Sequence, residues 1–404
     1  MRTLIIGKVW PEPASSAAGS RTLALIDAFK TAGWPVHFAS AAQFSDYSEQ
    51  LERPGLTTHR IEVNDSSFDR WIQELDPELV VFDRFMTEEQ FGWRVETQCP
   101  NARRVLDTSD LHCLRAARRE ALLQQTPLEL FNETALREIA SIYRSDLSLI
   151  ISEVELQILL EQFQVPPAQL CYLPLLAGPP MEKVPAFSER EHFVMIGNYL
   201  HEPNWDAVRW CRHEIWPLIR KALPSAELHL YGAYEPDKAR QLADLKLGVR
   251  CCGRAERSMR TLAQYRVNLA PLRFGAGQKG KVVDGFCAGT PTIATPVAAE
   301  SMNGPIEWGC PMHDDPSDFA AVAAKVYTDP ELWSHIQQQG YEIRAERLDA
   351  THWKPVLIEA LTRLDPSQRR DCFIGRMLRH HQHRSTEFMS RWIEAKNAKN
   401  KFSS

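Results

Sequence analysis

From its first residue, this chain alternates short runs of consecutive apolar residues with stretches of helical period. No other feature narrows its fold as far. The candidate strands Thr3 to Gly7, Val36 to Ala39, Arg60 to Val63, Leu79 to Asp83, Arg104 to Asp107 and Leu147 to Ser152 are mostly apolar on successive residues rather than alternate ones. Strands apolar on both faces need cover on both faces, the condition of a parallel sheet between two layers of helices. Between Tyr172 and Ser188 the pattern stops, because Pro174, Gly178, Pro179, Pro180 and Pro185 leave no sustained period, as in a linker. It then restarts, with strands at Phe193 to Ile196, Glu227 to Tyr231, Val267 to Ala270 and Pro291 to Thr295. Helices are expected at Trp205 to Ala222, Pro236 to Leu245 and from Lys281, and later at Ser317 to Thr328, Pro330 to Arg347 and Lys354 to Leu364. The fold class is therefore α/β, with two doubly wound, Rossmann-like domains facing across a cleft. The expected divisions are 1–175, a linker at 176–190, a second domain at 191–350 and C-terminal helices at 351–404 that cross back to the first domain.

With 404 residues, 44% of them hydrophobic and 25% charged, each half can bury its own core. A net charge of -5 provides no basic field for a phosphate backbone, so nucleic acid is not an expected partner. The nine cysteines are odd in number and contain no C-x-x-C, which supports neither a disulfide framework nor a structural zinc site. The N-terminus runs directly into a strand, and no apolar run approaches the ~18 residues of a membrane span. A reducing, cytoplasmic location is expected.

Gly275-Ala-Gly-Gln-Lys-Gly280 matches the dinucleotide pattern G-x-G-x-x-G, which would imply an oxidoreductase. Such a fingerprint directly follows a strand, whereas here Pro271 to Phe274 intervene, and Glu300 falls beyond the strand where a ribose-binding acid should end. A second reading explains more of the segment. A glycine-rich turn at a helix N-terminus presents backbone N–H groups and a positive dipole end, and Arg273, Lys279 and Lys281 add charge, all suited to a pyrophosphate. Asp284 lies one turn beyond Lys281 on the same face, placed to accept from ribose hydroxyls.

The segment from Ala270 to Thr295 resembles the donor motif of retaining GT-B glycosyltransferases of the family 4 type, with its "PLR-x-G-x-G-x-K-x-K" and "G-x-P-V-V-A-T" elements. Phe193 to Ala207 is similar to the family's first donor-domain strand and its "PN-x-D-A" loop, placing Gly197 and Asn204 in the donor site. Pro11 to Arg21 resembles the glycine loop of the acceptor domain, bringing Gly19 toward the pyrophosphate. Eight positions before Asp284, where many relatives carry a first acid, this chain has Ala276, as in the Gly-Ala-Gly subtype.

The loop after Val105 gathers Asp107, Asp110, His112 and Arg115 at a strand end. By the resemblance, Arg273, Lys281, His112 and Asp110 are the expected catalytic residues. Gly19, Gly197, Asn204, Gly275, Gly277, Lys279 and Asp284 are the donor-binding residues, and Arg21, Asp107 and Arg115 lie on the acceptor side. A helix cap at Asp107 or Asp110, with His112 at the surface, is the structural alternative. The resemblance implies metal-independent hexosyl transfer with retention, in glycan biosynthesis. A nucleotide-diphosphate sugar is the co-substrate, a saccharide or glycoconjugate the acceptor, and no cofactor is required. The alternative is a noncatalytic nucleotide-sugar-binding or assembly subunit. From Pro366 onward nine basic residues face three acidic ones, and Phe373, Ile374, Met377, Leu378, Phe388, Met389, Trp392 and Ile393 recur at helical spacing. This stripe suits packing against the first domain or, as a basic amphipathic surface, anionic lipid or a partner chain.

Overall fold

A computed structural model describes residues 1–48 and 55–401. The first sheet has seven strands: β1 Thr3–Gly7, β2 Val36–Ser40, β3 Leu56–Arg60, β4 Leu79–Asp83, β5 Arg103–Asp107, β6 Leu147–Ile150 and β7 Leu170–Tyr172. All pair in parallel, in the order β3-β2-β1-β4-β5-β6-β7. The second has five parallel strands in the order β10-β9-β8-β11-β12: β8 Glu191–Asn198, β9 Leu228–Ala233, β10 Val249–Cys251, β11 Tyr265–Ala270 and β12 Thr292–Ala294.

The continuous apolar strands are buried on both faces. Leu4, Ile6, Val80 and Phe82 belong to one core, while Ile5, Leu79, Val81 and Val105 point into another on the opposite side of the same sheet. A further core, containing Phe193, Trp216, Leu230, Val267 and Phe319, fills the second domain. Each fully buried side chain of this size contributes about 1.5–3 kcal/mol. After the helix Pro330–Arg347 the chain returns to the first domain, where helix Ala350–Arg363 buries Leu357 and Leu361 beside Ile5, Phe29 and Val36. Helix Phe373–Leu378 then packs near Tyr143, and helix Arg384–Lys401 lies against helix Phe85–Gln98 through Ser390 and Arg94.

The differences from expectation fall on edges and irregular helices. β3 ends at Arg60 where a strand was expected to begin, because as an edge strand it exposes Thr57, Thr58 and Arg60 and lacks a continuous apolar run. β7 and β10 are three-residue edge strands that carry no such signal. Only Asp237–Arg240 is helical where Pro236 to Leu245 was expected, since Asp244 instead bridges to Val249. The helix expected from Trp205 starts at Glu202 and passes through a π segment, Cys211–Ile215, just before Pro217. Proline has no N–H and crowds the preceding turn, and the wider π turn accommodates it. The proline-containing segment after β7 is fastened at both sides: Ala177 bridges Asp349, and the Leu175 amide donates to Gln278 Oε1 at 2.8 Å.

Strand order reverses between β1 and β4 in one sheet and between β8 and β11 in the other. Ligands of open α/β sheets bind outside the carboxyl ends at such points. Here the two sets of carboxyl-end loops meet each other.

Candidate functional site at the interdomain cleft

After β11, the chain crosses Pro271 to Phe274 and turns through Gly275 to Lys279 into helix Gly280–Cys287. Gly277 has φ 64°, and a Cβ there would lie 2.8 Å from the Asp110 Cβ of the first domain and 3.2 Å from Ile151. A side chain at Gly280 would meet Ala17 at 2.8 Å. Glycine lets this loop touch the opposite domain with its backbone. The contact is locked by Arg118, which donates to the Gly275 carbonyl at 2.8 Å and to Glu300 at 2.9 Å. Gln278 adds a bond to the Ser301 carbonyl at 2.7 Å, and Ser152 meets Ser301 across the same seam at 2.9 Å.

Lys281 sits in the first turn of helix Gly280–Cys287, and its Nζ donates to Asn204 Oδ1 at 2.7 Å. Asn204 in turn donates to the Asn198 carbonyl at 3.0 Å, so the end of β8 orients the amide that holds the lysine. Gly197 leaves this corner open, because a Cβ there would meet the Asn204 amide at 2.8 Å and Lys281 Nζ at 3.3 Å. Burial, followed by repulsion from Lys279, pushes the Lys281 ammonium down to about 8. Lys279 is also pushed to about 8 by burial, against the opposing pull of Glu300 and Glu155. Its Nζ is turned onto its own loop, donating to the Gly277 and Ala276 carbonyls. Asp284, one turn beyond Lys281, is raised by burial to about 6, with a hydrogen bond from Ser258 opposing the shift.

The facing wall is built from charges already paired with one another. Arg21 and Asp107 form a buried bidentate ion pair at 2.8 and 3.0 Å, and Arg21 also donates to the Leu173 and Pro174 carbonyls. These two residues, expected on the acceptor side, instead fix the end of β5 to the start of the linker. Arg84, in the left-handed region at φ 70°, chelates Asp83 at 3.0 and 2.8 Å. Ser109, at φ 61°, turns the loop toward Gly277. Asp110 is ion-paired with Arg115; although burial would raise its carboxyl, Arg115, His112 and His201 hold it at about 2.

Neither Asp107 nor Asp110 caps the following helix, and His112 is not at the surface. The amides of His112 and Cys113 donate to Glu138 at 3.0 and 2.8 Å, and that of Leu111 donates to Glu155 at 2.8 Å. His112 Nδ1 lies 3.1 Å from the same Glu138 carboxylate, with its ring edge-on to Phe85. Gly19 is likewise corrected. Its amide donates to the N-cap Ser16, and its missing side chain admits the Glu12 backbone, so it shapes a turn rather than offering an N–H to a ligand.

The structure thus brings Asp110, Arg115, Lys279, Lys281, Asn204, Gly197 and Gly277 into one cleft. It separates Arg273 from them: that guanidinium is chelated by Asp206 in a more exposed position, beside the Trp210 ring. Sequence reasoning missed Arg118 and Glu300 as an interdomain clasp, since the partners lie 182 positions apart. It also passed over His201. That residue is exposed at the cleft, near Asp110, Arg115, Lys281 and Lys279; desolvation followed by repulsion from Arg115 pushes its imidazole down to about 4, against the pull of Asp110. Among the described residues, His192, Glu227 and His229 could hold a metal, but they sit at the amino-terminal ends of β8 and β9, and Arg250 occupies Glu227 at 2.6 and 2.9 Å.

Residues 190–329 match the family "Glycosyl transferases group 1". No curated protein sequence matches the chain. Among solved structures, it resembles a sucrose-phosphate synthase from Thermosynechococcus elongatus at 15% identity and a TM-score of 0.67, covering 90% of this chain and 99% of the other. An Anabaena protein, HepE, solved with UDP and glucose, matches at 12% identity and a TM-score of 0.65, over 90% of this chain and 100% of that one. WaaG, a glycosyltransferase involved in lipopolysaccharide biosynthesis, matches at 12% identity and a TM-score of 0.64, over 89% and 100%. The family match spans the cleft's second wall and its glycine loop. Residues 190–329 thus resemble the glycosyl transferases group 1 family, and the two-sheet architecture is that of a GT-B fold.

Proposed function

We propose that this protein transfers a sugar, with retention of anomeric configuration, from a nucleotide-diphosphate sugar held by the second domain to a saccharide or glycoconjugate acceptor entering from the first. One observation carries the reading: the Lys281 ammonium is partly buried at the start of a short helix, beside two glycines, with one amide oxygen as its protein acceptor. An ammonium has three N–H donors, so two remain for a ligand. A diphosphate there meets a cation and a helix N-terminus together. As the glycosidic bond to the diphosphate breaks, the anomeric carbon becomes oxocarbenium-like and negative charge grows on the departing phosphate. Lys281 then stabilises the transition state more than the ground state. Lys279 holds the turn in shape through its carbonyl bonds, and Asp284 is placed to accept from ribose hydroxyls. His201 and Asp110 border the space where the sugar would lie. Contact between the Gly277 turn and Asp110 excludes water from that space and limits hydrolysis of the donor.

No step requires a divalent ion, because a lysine and helix amides meet the leaving charge; transfer should persist in excess EDTA. The decisive measurement is a thermal-shift panel of UDP-, GDP- and ADP-sugars. A bound donor at one hundred times its dissociation constant adds ~2.7 kcal/mol of apparent stability. The complex of the Anabaena relative makes UDP-glucose the first compound to test. Failure of every compound to raise the transition would overturn the proposal. The Ala276 position, where many relatives carry an acid, supports a second reading as a noncatalytic binding subunit. Donor binding without hydrolysis or transfer to any saccharide would establish that reading instead.

A further inference from the structure

Apart from the cleft, the strongest chemical feature is a pocket of about 690 Å³ between the C-terminal helices and the first domain. Arg104, Arg369, Arg370, Arg376 and Arg379 line it with His380 and His381, and Glu96 is its acidic member. That carboxylate is spent: His383 lies 2.6 Å from it, and Arg104 and Arg379 each approach to 3.4 Å. Arg369 and Arg379 are used structurally, Arg369 on Asp146 and the Pro100 and Ala102 carbonyls, Arg379 on the Arg144 and Arg369 carbonyls. The others are not. Arg104 is only 3% exposed, yet its Nε and Nη1 have no hydrogen-bond partner. Among the described residues, neither Arg370 nor Arg376 has a carboxylate within ion-pair distance. Buried guanidinium N–H groups left without hydrogen bonds are costly, and the pocket beside them supplies room for an acceptor from outside.

The rim is apolar. Phe373 and Met377 line the same pocket, and Phe373, Ile374 and Met377 are 73%, 44% and 43% exposed. Farther along, Phe388, Met389 and Trp392 are 69%, 58% and 60% exposed on helix Arg384–Lys401. This corrects the packing assignment for most of the stripe: Ser390 faces inward against helix Phe85–Gln98, while these aromatic and apolar side chains face out among Arg384, Arg391 and Lys396. At helical spacing, residues 384, 388, 392 and 396 share one face. The combination of exposed aromatic side chains, flanking cations and an arginine-lined pocket fits an anionic interface of apolar depth.

We propose that the C-terminal helices dock this protein on an anionic lipid bilayer, with the phosphate of a lipid headgroup held by Arg104, Arg370 and Arg376 and with Phe373, Phe388 and Trp392 entering the interface. Arg104 belongs to the amino-terminal end of β5, whereas the cleft opens at its carboxyl end, so this surface is separate from the donor site. An acyl-bearing phosphate is favoured over a free one because the apolar rim has no role toward a small anion.

The test is flotation of the full chain with vesicles of phosphatidylcholine alone or with about one third phosphatidylglycerol; no donor is needed, so the result is independent of the proposed transfer activity. Binding is expected only to the anionic vesicles and should weaken as salt rises. The double variant Arg370→Glu/Arg376→Glu should bind about 25-fold more weakly or worse, on about fivefold per cation lost. Both side chains are exposed, so its melting transition should match the wild type. Phe388→Ser/Trp392→Ser should also weaken binding with charge unchanged. Equal binding to neutral vesicles, no binding to anionic ones, or unaltered binding by the arginine variant would overturn the proposal. So would binding of soluble glycerol phosphate without vesicle binding, which would make the pocket a free-phosphate site.

Discussion

The two walls of the cleft treat their charged side chains in different ways. On the first-domain wall most charges are answered by a near neighbour: Arg21 by Asp107, Arg84 by Asp83, Arg115 by Asp110, and the Glu138 carboxylate by a helix N-terminus. On the second-domain wall, Lys281 is partly buried against a neutral amide among glycines. A paired wall is rigid and positions what it meets, whereas a wall with an under-coordinated cation binds anions. Under the proposed function, this asymmetry would give diphosphate recognition to the second domain and orientation to the first.

The comparison is broken most directly at Lys281. Replacing it with alanine should lower sugar transfer by about 100- to 1,000-fold, the worth of one preorganised charge contact at ~2.7 to 4 kcal/mol, with the melting temperature retained. Arg273→Ala, by contrast, should cost less than about threefold, because that guanidinium is already neutralised by Asp206 near solvent. Equal losses in the two variants would show that the walls have been misassigned. Gly277→Ala comes next. It places a methyl 2.8 Å from Asp110 and forces a left-handed φ on alanine. Gly33→Ala is the matched control, since Gly33 has φ 73° and open space around it. The shared backbone strain costs ~1 to 2 kcal/mol. Any further loss of activity at Gly277, expected to be about tenfold, measures domain contact.

A third test sharpens the claim for the anion-binding wall. The Lys281 ammonium is held near 8, and under the proposed function its charged form is the one that binds phosphate. Affinity for the nucleotide diphosphate should thus be level below pH 7 and fall about tenfold per pH unit above 8, by titration calorimetry. Lys281→Arg should flatten the profile, because a guanidinium stays charged across this range.

The same asymmetry explains what was legible in the sequence. Buried parallel strands announce themselves as apolar runs, so the cores of both sheets could be read, while β3, β7 and β10 lie at edges where half-exposed residues erase the signal. The donor turn was legible because its physics is local. Gly275, Gly277, Lys279 and Lys281 lie within seven residues, and a glycine turn entering a helix presents amides and cations regardless of the rest of the chain. The first wall was legible only as a cluster of residue types. Whether Asp107 is a sugar acceptor or the mate of Arg21 depends on a residue 86 positions away, and the Arg118 clasp spans 182. Spacing along a chain carries no information on such partners. Arg273 is a like case: its motif position was recognised, but its pairing with Asp206 was not visible.

The smallest effect on activity should come from Glu155, which belongs to the paired wall but is itself half-paired. One carboxylate oxygen accepts from the Leu111 amide, the other has no partner, and burial followed by repulsion from Asp110 raises the group to about 8. An unfolded chain releases this proton at the ordinary carboxyl value of 4.5. Between those two values the folded state binds a proton that the unfolded state has lost. Stability contributed by this site therefore falls as pH rises through the window, and levels off above about 8. Glu155→Gln keeps the acceptor for Leu111 and removes the titration. The first-domain melting transition should match wild type near pH 4.5 and exceed it by a few degrees at pH 8.5, with donor affinity unchanged. A variant less stable than wild type at the higher pH would mean that Glu155 is ionised there and stabilised by Lys279. The paired wall would then share a charge with the donor loop, and the contrast between the two walls would narrow.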